Sequence, residues 1–228
     1  MKKNTSILIG ILCLTLLSLS AQQTTSASAV AKTPKQYGVQ VGIYANRLRS
    51  TYPDDVAIST ENKSATGFGI CLFENQDLKE NWRLHLETGW IQKGGALEET
   101  TNYATYTAIL KLNYIHLAIN PQYTVFKQPK VEVYLTGGAL FGYALSGKTI
   151  SKTYVLSSQR TTTQTQTVNV NNKDFRRFDY GLHLGAGVRL LKNIAAELRY
   201  SFGLSDTDKT KDFGDFNNAL GLTVGYAF

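Results

Sequence analysis

The last thirteen residues of the sequence alternate strictly in character. Phe216, Asn218, Leu220, Leu222, Val224, Tyr226 and Phe228 share one parity, and Asn217, Ala219, Gly221, Thr223, Gly225 and Ala227 share the other. A period of two over this length specifies a strand whose two faces meet different surroundings. Seven earlier segments carry the same signature. They run over about 36–47 (Tyr37, Val39, Val41, Ile43 and Ala45 on the apolar face), 64–75 (Phe68, Ile70, Leu72), 82–93 (Trp82, Leu84, Leu86, Trp90), 107–126, 131–145 (Val133, Leu135, Ala139, Phe141, Tyr143), 175–190 (Phe178, Tyr180, Leu182, Leu184, Ala186, Val188) and 194–204 (Ala196, Leu198, Tyr200, Phe202). The 107–126 segment changes phase, from Leu110, Leu112 and Tyr114 to Leu117, Ile119, Tyr123 and Val125. A β-bulge near Tyr114 is expected to make the switch.

The connections between these segments alternate in length. Long polar ones lie near 48–63, 94–106, 146–174 and 205–215; short ones include Lys127-Gln128-Pro129-Lys130 and Leu191-Lys192-Asn193. Even strand number, long loops on one side and short turns on the other describe an up-and-down transmembrane β-barrel with eight antiparallel strands. The tract Gln159–Thr167 within the third long connection is polar throughout and is expected to be a mobile, solvated loop.

Ahead of the barrel segment, Lys2 and Lys3 precede an apolar run from Ile7 to Leu19, followed by Ala21-Gln22-Gln23. This is the layout of a secretory signal peptide, and the run is too short to span a bilayer as a helix. Cleavage is expected after Ala21, although Ala27-Ser28-Ala29 fits the small-x-small rule better. The division is then a signal over 1–21, a flexible segment over 22–35 and an outer-membrane barrel over 36–228. Of the two cysteines, Cys13 leaves with the signal and Cys71 has no internal partner for a disulfide. The formal charge of +7 comes from scattered residues. No basic helix or known motif points to nucleic acid; anionic lipid headgroups, including lipopolysaccharide, suit an exported basic chain better.

Alternation alone does not say which face is inside. A soluble lipocalin-like carrier would turn its apolar face inward, and a membrane barrel turns it out. Three features favour the membrane. The aromatics Trp82, Trp90, Tyr143, Tyr200 and Phe202 cluster toward segment ends as an interfacial girdle does. The second face is rich in glycine and opposed charges, which suits a narrow filled lumen. The sequence also stops at an aromatic residue on the apolar face, Phe228, and closure leaves no free edge, as hydrocarbon requires.

Three segments carry a family resemblance. Leu112-Asn113-Tyr114-Ile115-His116-Leu117, Phe178-Asp179-Tyr180-Gly181-Leu182-His183-Leu184-Gly185-Ala186-Gly187 and Arg199-Tyr200-Ser201-Phe202-Gly203-Leu204 resemble the PorT-like outer-membrane barrels of Bacteroidetes. The resemblance implies location in the bacterial outer membrane and a C-terminal insertion signal, here Val224, Tyr226 and Phe228, read by the barrel-assembly machinery. One relative is linked to protein secretion.

The lumen face is expected to hold Arg83, His85, Glu87, Lys111, Glu132, Arg177, Asp179, Arg189, Glu197 and Arg199. If Leu190 pairs with Ile194, Arg189 lies diagonal to Glu197 and within reach of it. A barrel of eight strands is only wide enough for side chains to fill, so these groups read as a charge-paired plug and not as an ion path. An enzyme is not expected. His183, Ser201 and Asp179 suggest a triad only superficially, since Asp179 is about 13 Å from His183 along the strand. A lipid-modifying barrel enzyme is the alternative. His85, His116 and His183 lack metal-ligand spacing, and no cofactor is expected. Asp206, Asp208, Asp212 and Asp215 read as a solvated loop. The expected role is structural, anchoring or partner-binding through the extracellular loops.

Overall fold

The computed structural model describes residues 35–51, 61–172, 175–206 and 214–228. The expected signal and most of the segment after it, the connection 52–60, and Asp208 and Asp212 lie outside the described residues. Ten strands are present among the described residues: β1 (Lys35–Thr51), β2 (Glu61–Lys63), β3 (Ala65–Lys79), β4 (Trp82–Thr100), β5 (Ala104–Lys127), β6 (Val131–Val155), β7 (Arg160–Val168), β8 (Phe178–Leu190), β9 (Ile194–Gly203) and β10 (Gly214–Ala227). Eight of them (β1, β3, β4, β5, β6, β8, β9 and β10) pair antiparallel in that order, and β10 returns to pair β1 from Gly38↔Ala227 to Thr51↔Gly214. The ring is therefore closed, and every wall strand has a partner on both sides. In hydrocarbon no water replaces a missing strand partner, so closure is what makes such a sheet tolerable there.

The two faces sort as the alternation requires. On β10, Leu220, Leu222, Val224 and Tyr226 are exposed, while Gly221, Thr223, Gly225 and Ala227 are buried. Leu222, half exposed, pairs Ile43 on one side and Leu198 on the other, so apolar side chains tile the outer wall. Cys71 faces inward and is a free, buried thiol.

Three expectations fail, each for a physical reason. β5 does not change phase near Tyr114; its phase shifts only at Val125, the extra residue between the pairs Thr124↔Tyr134 and Phe126↔Val133. Leu112, Tyr114, His116, Ala118 and Asn120 are all buried on the inner face. Leu112 and Tyr114 are apolar yet luminal because they join Tyr44, Ile91, Ala144 and Val170 in an apolar cluster inside the barrel. A register shift does lie beside Tyr114, but the extra residue is Leu145 on β6, between the pairs Asn113↔Ser146 and Tyr114↔Ala144.

Second, 94–106 is not a long loop. β4 and β5 stay paired up to Thr100↔Thr105, and the connection is a short turn in which Thr101 donates its N–H to the Ala104 carbonyl. Third, the tract Gln159–Thr167 is not a loose loop: Arg160–Val168 forms β7, paired in register with Gly147–Val155 of β6. Threonine is β-branched and accepts a strand even when both faces are wet. The apolar part of the wall is thus shorter than the strands, and β4, β5 and β6 continue beyond it.

The turn after β8 places Leu191 and Lys192 at φ of 51° and 67°, with Asn193 donating its N–H to the Leu190 carbonyl at 3.1 Å. Left-handed backbone costs a branched residue about 1–2 kcal/mol, and asparagine tolerates it better. Leu191→Asn is expected to stabilise the barrel by about 1 kcal/mol, read as a higher urea midpoint for the vesicle-inserted protein. An unchanged or lower midpoint would count against strain at this turn.

Candidate functional site

The inward side chains form a polar network in three groups. At its centre Arg199 of β9 donates from Nη1 and Nη2 to the two Glu87 oxygens of β4, at 2.6 and 3.2 Å. In ring order β4 and β9 are four strands apart, so this ion pair crosses the full width of the barrel. Arg199 Nε also donates to Glu197 at 2.7 Å, and Tyr134 Oη donates to the other Glu197 oxygen at 3.1 Å. Around Glu87 stand His116 Nε2 at 3.0 Å, His85 Nε2 at 3.3 Å and the Gln40 amide at 3.3 Å. Both Glu87 oxygens and all three Arg199 nitrogens are thereby satisfied, the condition on which a buried ion pair is tolerable.

Two flanking groups complete the network. Toward the short turns, Arg189 donates to Glu132 at 2.7 Å and to Gln122 at 2.8 Å, with its guanidinium 4.9 Å from the Tyr134 ring. Arg83 binds Asp77 and comes within 4.0 Å of Glu132. Toward the long-strand end, Lys93 donates to Asp179 at 2.8 Å, and Ser205 donates to the other Asp179 oxygen. The apolar cluster around Leu112 and Tyr114 packs beside this end, with Lys93 over the Tyr114 ring at 5.4 Å.

Glycine makes the packing possible. A Cβ on Gly187 would meet the Tyr134 ring at 2.4 Å, and one on Gly221 would meet the Tyr44 ring at 2.5 Å. A small gap of about 20 Å³ is lined by Tyr44, Lys93, His116, His183, Ser201 and Asn217 among others, no larger than one water needs. Facing the short-turn end, a vestibule of about 260 Å³ opens between Arg83, Trp82 and Glu132.

Of the residues named for the lumen, Arg83, His85, Glu87, Glu132, Asp179, Arg189, Glu197 and Arg199 lie together inside. Two do not. Lys111 shares the outer parity with Ile115 and Leu117, because β5 keeps one phase from Lys111 through Tyr123. Arg177 precedes β8 at the rim, where it donates to the Ala144 carbonyl at 3.1 and 3.0 Å and to Asn171, and lies over the Tyr143 ring at 4.5 Å. Arg189 sits diagonal to Glu197, as the pairing Leu190↔Ile194 requires, but binds Glu132 directly across the β6–β8 ladder instead. His183 does face Ser201, yet both its ring nitrogens lack a hydrogen-bond partner among the described residues, and Asp179 is engaged by Lys93 and Ser205.

The sequence reading missed Lys93, Gln40, Gln122, Tyr134 and Ser205, and weighed His116 only as a metal ligand. Lys93 extends the parity Arg83-His85-Glu87 through Gly89 and Ile91, a signal that was present. Outside the wall, Lys63 lies 2.9 Å from Glu61 and 3.8 Å from Glu98, and its hydrogen bond to Glu61 holds the ammonium above its ordinary pKa.

The aromatics Trp82, Tyr143, Tyr200 and Phe202 are exposed on the outer face, and Trp90 is half-buried there. Trp82 packs against Tyr123 at 5.0 Å near the short turns; Tyr200 and Phe202 meet at 4.5 Å. Trp90 and Tyr143 lie within β4 and β6 and not at their ends, because those strands run past the apolar wall.

The profile of the outer membrane protein beta-barrel domain family matches residues 21–209. The chain belongs to this family. It is an integral barrel of the bacterial outer membrane, and the network above fills its lumen. Among solved structures it is similar to Ail, the attachment invasion locus protein of Yersinia pestis (15% identity over 85% of this chain and 98% of that one, TM-score 0.38). It is also similar to Neisserial surface protein A (13% identity, 84% and 97%, TM-score 0.41) and to OprG of Pseudomonas aeruginosa (10% identity, 86% and 97%, TM-score 0.37). No curated protein matches the chain.

Truncating one partner of a buried ion pair strands the other charge, at a cost of about 3–5 kcal/mol. Glu87→Gln and Arg199→Met are each expected to destabilise the outer-membrane barrel by that order in urea titrations of vesicle-inserted protein. The double variant should lose clearly less than the sum of the two. Additive losses would show that the two side chains are energetically independent.

Proposed function

We propose that this barrel acts through what it holds outside the membrane and not through what it lets pass, in a structural, anchoring or partner-binding role. The observation carrying this reading is the satisfied Glu87–Arg199–Glu197 network across the lumen. A path for solute would need those paired charges to part, and each pair is held by further hydrogen bonds from His116, His85, Gln40 and Tyr134. The other support is the extension of β4, β5 and β6 beyond the apolar wall, with β7 added to β6. These polar hairpins are the natural contact surface for a partner.

The same reading places residues 1–21 as the export signal, 22–35 as a flexible lead and the barrel from 36 onward. Val224, Tyr226 and Phe228, all exposed on the outer wall, are the residues offered to the barrel-assembly machinery. The girdle aromatics Trp82, Trp90, Tyr143, Tyr200 and Phe202 sit at the two membrane interfaces. Within the outer-membrane barrels, the affinity is with the PorT-like group of Bacteroidetes, and a link to secretion or envelope integrity follows from it.

Purified protein in a planar lipid bilayer is expected to carry no steady current, and an epitope placed in the β6–β7 turn at Ser157-Ser158 is expected to be reached by antibody on intact cells. A stable open-channel current from the unaltered chain would overturn the reading. Leu222→Arg places a cation on the lipid face and should cost about 2–4 kcal/mol if it lies near mid-depth. It is expected to abolish the mobility difference between unheated and heated samples on a gel, and normal insertion of the variant would contradict the facing.

A further inference from the structure

The outer wall carries an unpaired basic face at one level of the long-strand end. Lys111 of β5 and Lys148 of β6 are direct cross-strand partners and therefore share a face, the outer one. Like charges directly opposite each other destabilise a sheet, yet no acid lies within ion-pair distance of either among the described residues. Ile115↔Tyr143 is the neighbouring apolar row of the same ladder. Lys111 stands four residues beyond Ile115, about 13 Å along the strand and about 10 Å in height once the strand tilt is counted. That is the depth of headgroups just above an aromatic girdle.

Beside Tyr143, where β8 begins and β7 has taken its place on β6, the wall has a notch of about 450 Å³. Tyr143 and Phe178 form its apolar side, and Arg176 and Arg177 its basic side. Arg176 is exposed with no acid within ion-pair distance among the described residues. Arg177 uses three of its N–H groups on Ala144 and Asn171, which fixes its guanidinium and leaves two of the five donors unspent. Fixed arginine forks and close lysine pairs are the side chains that bind phosphate oxygens, and an apolar floor under them suits the first carbons of an acyl chain.

We propose that phosphate groups of outer-leaflet lipids dock on this face, held by Lys111, Lys148, Arg176 and Arg177, with the adjoining acyl carbons against Tyr143 and Phe178. The occupant is a lipid and not free phosphate, because the cations border a lipid-facing wall and Tyr143, Phe175 and Phe178 line the notch. The proposal rests on the reading that the apolar wall is in the membrane with its long-strand end outward.

The test uses the mature chain folded in an uncharged detergent and titrated with diphosphorylated lipid A, with the same lipid A stripped of phosphate, and with inorganic phosphate, bound lipid being counted by native mass spectrometry. Diphosphorylated lipid A should be retained, the stripped form retained far less, and inorganic phosphate should not compete at millimolar concentration. Lys111→Gln, Lys148→Gln and Arg176→Gln should each weaken retention about five-fold, and the three together about a hundred-fold. Lys127→Gln and Lys130→Gln, at the opposite end, should leave it unchanged. Equal retention of the two lipid A forms, equal retention by the triple variant, or displacement by inorganic phosphate would overturn the site while the unheated gel shift persists. Absence of that shift in the unaltered chain would instead undo the barrel reading beneath it.

Discussion

A barrel in a membrane is greasy outside by necessity, so its stability problem is the inside, and here that problem is met by one ion pair drawn across the ring. Glu87 and Arg199 come from strands facing each other across the lumen, and Glu197, His116, His85 and Gln40 are bound to them. Four acids (Glu87, Glu132, Asp179, Glu197) meet four cations (Arg83, Lys93, Arg189, Arg199), so no charge is stranded at low dielectric. Small residues make room for this. Where glycine removes a side chain, an aromatic from the directly opposite position on the neighbouring strand fills the place, as Tyr134 does at Gly187 and Tyr44 at Gly221.

The molecule divides its two tasks by height. The part within the membrane is generic on its outer face, because lipid asks only for apolar surface. The part above it is lopsided. β5 and β6, at 24 and 25 residues, are about twice the length of β8 and β9, at 13 and 10. One side of the barrel therefore stands well above the other, and the extra strand β7 widens that side. The basic notch lies at the step between the tall and the short sides.

How much of this the sequence disclosed depends on whether period two coincided with polarity. On β8 and β10 it did: Leu182 and Leu184 alternate with His183 and Gly185, and the facing and pairing of both strands were readable. On β5 it did not. Leu112 and Tyr114 are apolar but luminal, packed in a cluster drawn from four other places in the chain, and local polarity assigned them to the wrong face. The same error carried Lys111 into the lumen. Lys93 was overlooked although it closed the segment 82–93, because the apolar Ile91 interrupts the polar parity leading to it; the ladder itself continues to Thr100. The threonine tract was read by composition, which reports burial and not pairing; β7 is paired and unburied. Arg189 shows a further limit. Register placed it diagonal to Glu197, but a partner directly opposite, Glu132, outcompeted the diagonal one.

Cys71 gives the fold a built-in reporter. Its sulfhydryl is turned into the packed interior, walled off from both lipid and water by the side chains that plug the ring. An alkylating reagent can find it only while the ring is parted or not yet sealed. The rate at which the thiol is blocked therefore clocks the opening of the whole cylinder, with no dye or inserted label required.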